Sequence, residues 1–233
     1  MNTLTTESIA LAFKEKHFNE DFVVDKSGFT TVEIINATFL ADKPFILREP
    51  SEEYIARELE WYKSQSLNVN DIPGDVPSIW QQVASGNGYI NSNYGFLVDS
   101  EENCDQFESC VNQLVNDPYS RRAIMIYTRP QMQYEFNQQG MNDFICTNNV
   151  QYFIRNGQLE VVVNMRSNDA VFGYNNDYAW QLHVQKRMLD TLNERRYWDD
   201  VTFDDELEIG NIYWNVGSMH VYQRHFNLLK QNQ

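Results

Sequence analysis

The stretch CTNNVQYFIRNGQLEVVVNMRSND, residues 146–169, decides the fold. Two runs rich in β-branched and aromatic residues flank Asn156-Gly157. Asn-Gly is the pair that a two-residue hairpin turn selects, because both central positions need φ above zero. With that turn fixed, Arg155 stands opposite Gln158 and Ile154 opposite Leu159. An unbroken ladder then sets Thr147 opposite Arg166 and Cys146 opposite Ser167. A thiol close to a guanidinium favours the thiolate, which makes Cys146 a candidate nucleophile. The alternative is a buried structural cysteine, the commoner fate of a free thiol.

Working outward from the hairpin, strands and helices alternate along the whole chain. Residues 5–19 combine capping candidates with helical spacing (Ile9, Ala12, Phe13), and 29–41 is rich in β-branched residues, as strands are. Residues 50–65 read as a helix with Ser51 as N-cap and Glu52 and Glu53 in the first turn. A helix over 102–116 ends at Asn116-Asp117-Pro118, and 123–127 is a short buried strand. Residues 178–193 are helical, with Tyr178, Leu182, Gln185, Leu189 and Leu192 on one stripe, and 207–222 returns to strand. This order, with no repeat and no linker, predicts a single α+β domain over residues 1–233, built on one mixed sheet.

The chain carries 18 basic against 33 acidic residues, a net charge of −15. Such a charge repels duplex nucleic acid and anionic membrane, so direct binding to either is not expected. Three cysteines (Cys104, Cys110, Cys146), an odd count, argue against a disulfide framework. The first residues lack the layout of a secretory signal, and no apolar run approaches ~18–20 residues, so a cytoplasmic protein is expected.

Several side chains stand out. On the helix at 50–65, Glu58 falls within the apolar stripe of Tyr54, Ile55, Leu59 and Tyr62, while Glu53, Glu60 and Lys63 point away. A carboxylate there is either a site residue with a raised pKa or half of a core salt bridge. Arg121 and Arg122 enter a strand side by side; they suit anion capture, across a subunit contact, or a solvated surface. His220 and Tyr222 share one strand face and could grip a hydroxyl or fill the core. In 166–180, Arg166, Asp169 and Asp177 lie among aromatic and small residues beside Asn168, Asn175 and Asn176. Charged groups are rarely packed so without partners. Neither a zinc spacing nor a phosphate-binding glycine loop is present, so no metal is expected.

Taken in order, "DKSGFTT" (25–31), "ELEW" (58–61), "IWQQVASGNGYINSNYG" (79–95), "DPYSRR" (117–122), the hairpin itself and "HVYQRH" (220–225) resemble the thymidylate synthase superfamily over nearly the whole chain. Within it, "KSQSLNVNDIPG", "VVNMRSND" and "NDYAWQ" are similar to the phage-type branch that hydroxymethylates a cytosine nucleotide. The resemblance implies a large mixed sheet with helices on one face, dimerising sheet to sheet. It implies Cys146 as the nucleophile at C6 of the pyrimidine, Glu58 for ordered water and proton transfer, and Tyr94 near C5. Arg166 and Ser167 match phosphate ligands of the same subunit, and Arg121 and Arg122 match phosphate ligands reaching in from the partner. Lys26 stands where most synthases have Arg. His220 and Tyr222 match the pair on the deoxyribose 3′-hydroxyl, and Trp80 and Asp169 match folate contacts. The final HFNLLKQNQ does not match the apolar segment that closes over folate in synthases.

The implied reaction is transfer of a one-carbon unit from 5,10-methylenetetrahydrofolate to C5 of dCMP, with addition of water. Residue 177 is Asp where synthases carry the Asn that reads uracil. A carboxyl can accept from the cytosine amino group and favour a proton at N3, or Asp177 can simply cap the helix that follows. The rival readings are a thymidylate synthase, a dUMP hydroxymethylase, and a non-catalytic binder within a nucleotide-synthesis assembly.

Overall fold

The computed structural model describes residues 3–25, 28–197 and 205–230. In chain order the elements are α1 (Thr6–Phe18), β1 (Val23–Val24), β2 (Thr30–Leu40), α2 (Glu52–Ser64), α3 (Ser78–Val83), α4 (Tyr94–Asp99) and α5 (Gln106–Asn116). They continue with β3 (Ile124–Ile126), α6 (Met132–Glu135), β4 (Thr147–Arg155), β5 (Gln158–Asp169), α7 (Gly173–Arg195) and β6 (Glu208–Tyr222). The strands form one six-stranded sheet in the order β1-β2-β6-β5-β4-β3. Only β5 and β6 run parallel, joined through α7 as the crossover helix, so the sheet is mixed as expected.

The hairpin forms at Asn156-Gly157, both at positive φ, and pairs Arg155 with Gln158 back to Asn149 with Asn164. The ladder then slips. Asn148 bulges out and Thr147 pairs with Met165 rather than Arg166. The Asn148 carbonyl is taken instead by the N–H groups of Tyr127 and Thr128, beyond the edge strand β3. One extra residue of this kind re-aims everything that follows it. Cys146 therefore faces Arg166, not Ser167, and its carbonyl accepts the Arg166 N–H at 2.9 Å.

A second irregularity runs across three strands. Inward positions on β5 are Leu159, Val161, Val163 and Met165, then switch phase to Asn168. On β6 they pass from Trp214 and Val216 to Met219 and Val221, and on β2 from Phe39 and Ala37 to Val32. The switch falls at Arg166, Gly217 and Asn36, which lie abreast. Asn36 takes a left-handed φ of 56°, and a Cβ on Gly217 would meet the Arg166 carbonyl at 2.9 Å. Beyond this kink the partly buried Ser167, Asp169, His220 and Tyr222 alternate with buried Asn168, Met219 and Val221.

The helices cover one face, and Trp61, Trp180, Trp214, Tyr127, Tyr152 and Phe39 are fully buried against it. The buried stripe of α7 is Tyr174, Gln181, Val184, Gln185, Met188 and Leu192, whereas Tyr178, Leu182 and Leu189 are only half-buried. Of the expected stripe Gln185 and Leu192 are buried, and the rest is rotated toward Gln181, which hydropathy assigns to water. Gln185 donates to the Leu159 and Gly210 carbonyls at 2.8 and 3.1 Å, where the β5–β6 register shifts. Cys104 precedes α5 rather than lying on it, and Cys110 is buried.

Where α4 crosses α2, a Cβ on Gly95 would stand 1.8 Å from the Tyr62 carbonyl. Gly95→Ala forces the helices apart and is expected to cost about 1–3 kcal/mol or more, as overpacking does. A urea-unfolding midpoint equal to wild type would contradict that packing.

Candidate active site

Four segments converge around Cys146: the strap 141–145 before it, the start of α4, the first turns of α7, and α2. Trp214 sits at the root of the polar network. Its indole N–H donates to Asn168 Oδ1 at 3.2 Å, and because an indole only donates, the Asn168 amide is fixed with its NH2 outward. That NH2 donates to Asp177 Oδ2 at 2.8 Å. The Tyr94 hydroxyl donates to Asp177 Oδ1 at 3.1 Å and accepts from Thr147 Oγ1 at 3.0 Å. Tyr94 is in turn walled by Tyr62, stacked at 5.3 Å, and by Tyr127 edge-on at 5.2 Å.

Asp177 is not the cap of α7. That helix starts at Gly173 and Phe172 occupies the cap position, so residue 177 lies a full turn inside. Burial pushes its carboxyl up to about 7, the nearby Glu58 adds to the rise, and the bonds from Tyr94 and Asn168 oppose it.

Glu58 is buried, as its place in the stripe predicts, and its partners are neutral rather than an arginine. Tyr54 and Trp80 both donate to Oε1, at 2.6 and 3.0 Å. Burial lifts this carboxyl to about 6 against those two bonds. Trp80 is half-buried, its ring edge pinned by Glu58 and by the Tyr54 hydroxyl at 3.1 Å, and its ring edge-on to Trp61.

Cys146 lies beside Arg166, whose Nη2 donates toward Sγ at 3.5 Å. The expectation of a favoured thiolate fails in the unliganded chain. Burial pushes the thiol up to about 11, Arg166 pulls it down, and Asp177 and Asp143 push it up again. Arg166 also has other work: its Nε donates to the Ile145 carbonyl at 2.9 Å and Nη2 to that of Phe144, with the guanidinium over the Phe144 ring.

On the neighbouring strand His220 and Tyr222 meet edge to face at 4.9 Å, both half-buried. His220 pairs with Asp169 across the parallel ladder, and burial pulls its imidazole below the ordinary value. Ser167 pairs with Ser218, and Asp169 Oδ1 accepts from Val171 N at 2.9 Å. Arg121 and Arg122 are exposed on the turn before the edge strand β3, and this chain does not bring them to Cys146. Lys26 lies outside the described residues. Asn168, Thr147, Tyr54 and Asp143 are site residues that sequence reasoning missed. A poor strand former such as Asn168 between Ser167 and Asp169 was the available signal.

A family model described as thymidylate synthase matches residues 45–233. Deoxycytidylate 5-hydroxymethyltransferase of Enterobacteria phage T4 is 55% identical over 232 residues, covering 98% of this chain and 90% of its own. Thymidylate synthase of Bacillus atrophaeus is 30% identical over 181 residues, 75% of this chain and 72% of its own. Among solved structures, the thermostable thymidylate synthase A from Bacillus subtilis superposes with a TM-score of 0.69 over 98% of this chain and 85% of that one. At 20% identity that likeness concerns the fold.

The two raised carboxyls make a pH prediction. Folded Asp177 and Glu58 hold protons to about 7 and about 6, against ordinary values of 3.8 and 4.5. The folded state binds more protons, so their contribution is full below about pH 4 and is lost as pH rises through 6 to 7. The stability difference between Asp177→Asn and wild type, from urea unfolding at several pH values, should therefore shift in the variant's favour across that window. A difference independent of pH would mean that Asp177 is ionised throughout.

Proposed function

The chain belongs to the thymidylate synthase family, and from that premise we propose that it transfers a one-carbon unit from 5,10-methylenetetrahydrofolate to C5 of dCMP with addition of water. The products are 5-hydroxymethyl-dCMP and tetrahydrofolate. The whole chain, 1–233, acts as one catalytic domain in a cytoplasm. The observation that carries the cytosine reading is Asp177, a carboxyl that burial lifts to about 7 while Tyr94 and Asn168 hold its two oxygens in place. The 55% identity to the phage T4 deoxycytidylate enzyme points the same way.

Cytosine offers an amino donor at C4 and an acceptor at N3. A protonated Asp177 matches both, accepting from the amino group and donating to N3. Cys146 gives up its thiol proton to water and adds through sulfur to C6, and the electron density driven toward N3 takes the Asp177 proton. A neutral Asp177 also removes one of the charges that oppose the thiolate. With C6 saturated, C5 becomes enamine-like and attacks carbon. Bound folate supplies that carbon as an electrophilic methylene. The residues present fit such a group: Trp80 is half-buried, with its indole N–H fixed by Glu58 and Tyr54. Trp80 and Asp169 would hold it. Loss of the C5 proton and of the folate leaves an exocyclic methylene on the pyrimidine. Glu58, lifted to about 6, is placed to orient and deprotonate the water that adds there. Expulsion of Cys146 from C6 then restores the ring.

The dCMP phosphate is assigned to Arg166 and Ser167, to Lys26, and to Arg121 and Arg122 from a second copy; His220 and Tyr222 hold the 3′-hydroxyl. A sheet-to-sheet homodimer is supported by the uncovered face. There Ile35, Ile124, Ile126 and Tyr213 are exposed around an asparagine ladder, Asn149–Asn164–Asn215, bonded at 2.9 and 3.2 Å.

Mass-spectrometric product analysis with methylenetetrahydrofolate tests the assignment. Hydroxymethyl-dCMP is expected, and Cys146→Ala should abolish it with folding retained. Asp177→Asn should lose dCMP turnover and gain dUMP, since sites built on polar complementarity discriminate by up to ~10⁴. Faster turnover of dUMP than of dCMP by the wild type would sink the reading.

A further inference from the structure

We propose that Asp143 is a positioning residue, whose carboxylate ties the strap ending in the nucleophile to the loop opening into Tyr94. It thereby holds the thiol at a set distance from the Tyr94–Asp177 pair. The inference rests on the roles given above to Cys146 and Asp177.

Asp143 and Ser92 are both buried. Asp143 Oδ2 accepts from the backbone N–H groups of Asn91 and Ser92 at 2.7 and 2.8 Å, and Oδ1 accepts from Ser92 Oγ at 2.7 Å. The contact is returned by Asn91 Nδ2, which donates to the Asp143 carbonyl at 3.1 Å. Asp143 stands three residues before Cys146, and Ser92 two before Tyr94. Residues 141–145 belong to no helix or strand, so the strap takes its place from such contacts. On its other side Arg166 grips the carbonyls of Phe144 and Ile145.

A buried carboxylate is costly unless its lone pairs are satisfied, and here three donors from one loop satisfy them. Its charge works against the chemistry, because Asp143 raises the Cys146 thiol. Geometry remains as the reason for its presence. A carboxylate gathers two backbone N–H groups and a hydroxyl at one point, which pins two otherwise independent segments. Reactivity at C6 depends on that alignment, where a displacement of about 1 Å can cost ~10²-fold.

The test is steady-state kinetics with dCMP and methylenetetrahydrofolate, alkylation of Cys146 by iodoacetamide, and thermal unfolding. Asp143→Ala should lower kcat by about 100-fold with KM for dCMP nearly unchanged, the pattern of lost transition-state alignment. Asp143→Asn should restore most of the rate. Its amide oxygen still meets the two N–H groups, and its NH2 can donate to Ser92 Oγ. The strap freed in Asp143→Ala should also be alkylated faster than in Asp143→Asn, which separates clamp from charge. A folded Asp143→Ala with wild-type kcat, or a loss confined to KM, overturns the proposal. If Asp143→Ala does not fold, Ser92→Ala decides: a kcat reduced about tenfold upholds the clamp, and an unchanged kcat refutes it. Absence of dCMP turnover in the wild type would refute the function above, and alkylation would still report on the clamp.

Discussion

The Trp214–Asn168 hydrogen bond is the constraint on which the site depends. An amide in solution can present either end to a carboxyl. With the indole donor fixed on its oxygen, Asn168 can present only N–H to Asp177. Asp177 is thereby held by a donor on each oxygen, and the Tyr94 hydroxyl is oriented in turn by Thr147. Five elements (β4, β5, β6, α4 and α7) meet in this chain of bonds. Buried networks of this kind specify one arrangement when every member is satisfied.

The same network explains why two carboxyls a few residues' width apart behave differently. Glu58 has the lower value and ionises first, so Asp177 titrates in the field of a charge already present. The higher value falls to the residue proposed to face the base. Glu58 reaches about 6 through burial alone, with neutral Tyr54 and Trp80 as its donors. Two acids thus acquire separate values through their surroundings, which suits the separate tasks proposed for them.

Much of this was legible in the sequence where local chemistry decides. Asn156-Gly157 set the hairpin, Ser51 capped α2, and helical phase put Glu58 inside. What escaped was tertiary in origin. The Asn148 bulge falls where its carbonyl accepts from Tyr127 and Thr128, just past β3, and no ladder count from the turn contains that pairing. The phase of α7 differs in part from the expected one because Gln181 is buried, whereas Gln185 is inside as expected. The charge state of Cys146 was misread because pairing reveals Arg166 but not burial, Asp143 or Asp177.

That last error carries a physical lesson about the site. Two carboxyl groups, Asp143 and Asp177, act against the thiolate of Cys146, and Arg166, the cation that favours it, also donates to the strap carbonyls. The chain as a whole bears −15, which repels a phosphate dianion at long range. A free thiol at about 11 is the consequence. Activation must then arrive with the substrate. A proton retained on Asp177 removes one opposing charge, and guanidinium groups drawn in by the phosphate remove more. Arg121 and Arg122 are exposed and remote from Cys146 in the same chain, and it is the proposed dimer that would bring a neighbouring copy's pair to that second step. Under this arrangement assembly, binding and nucleophile activation are one electrostatic event.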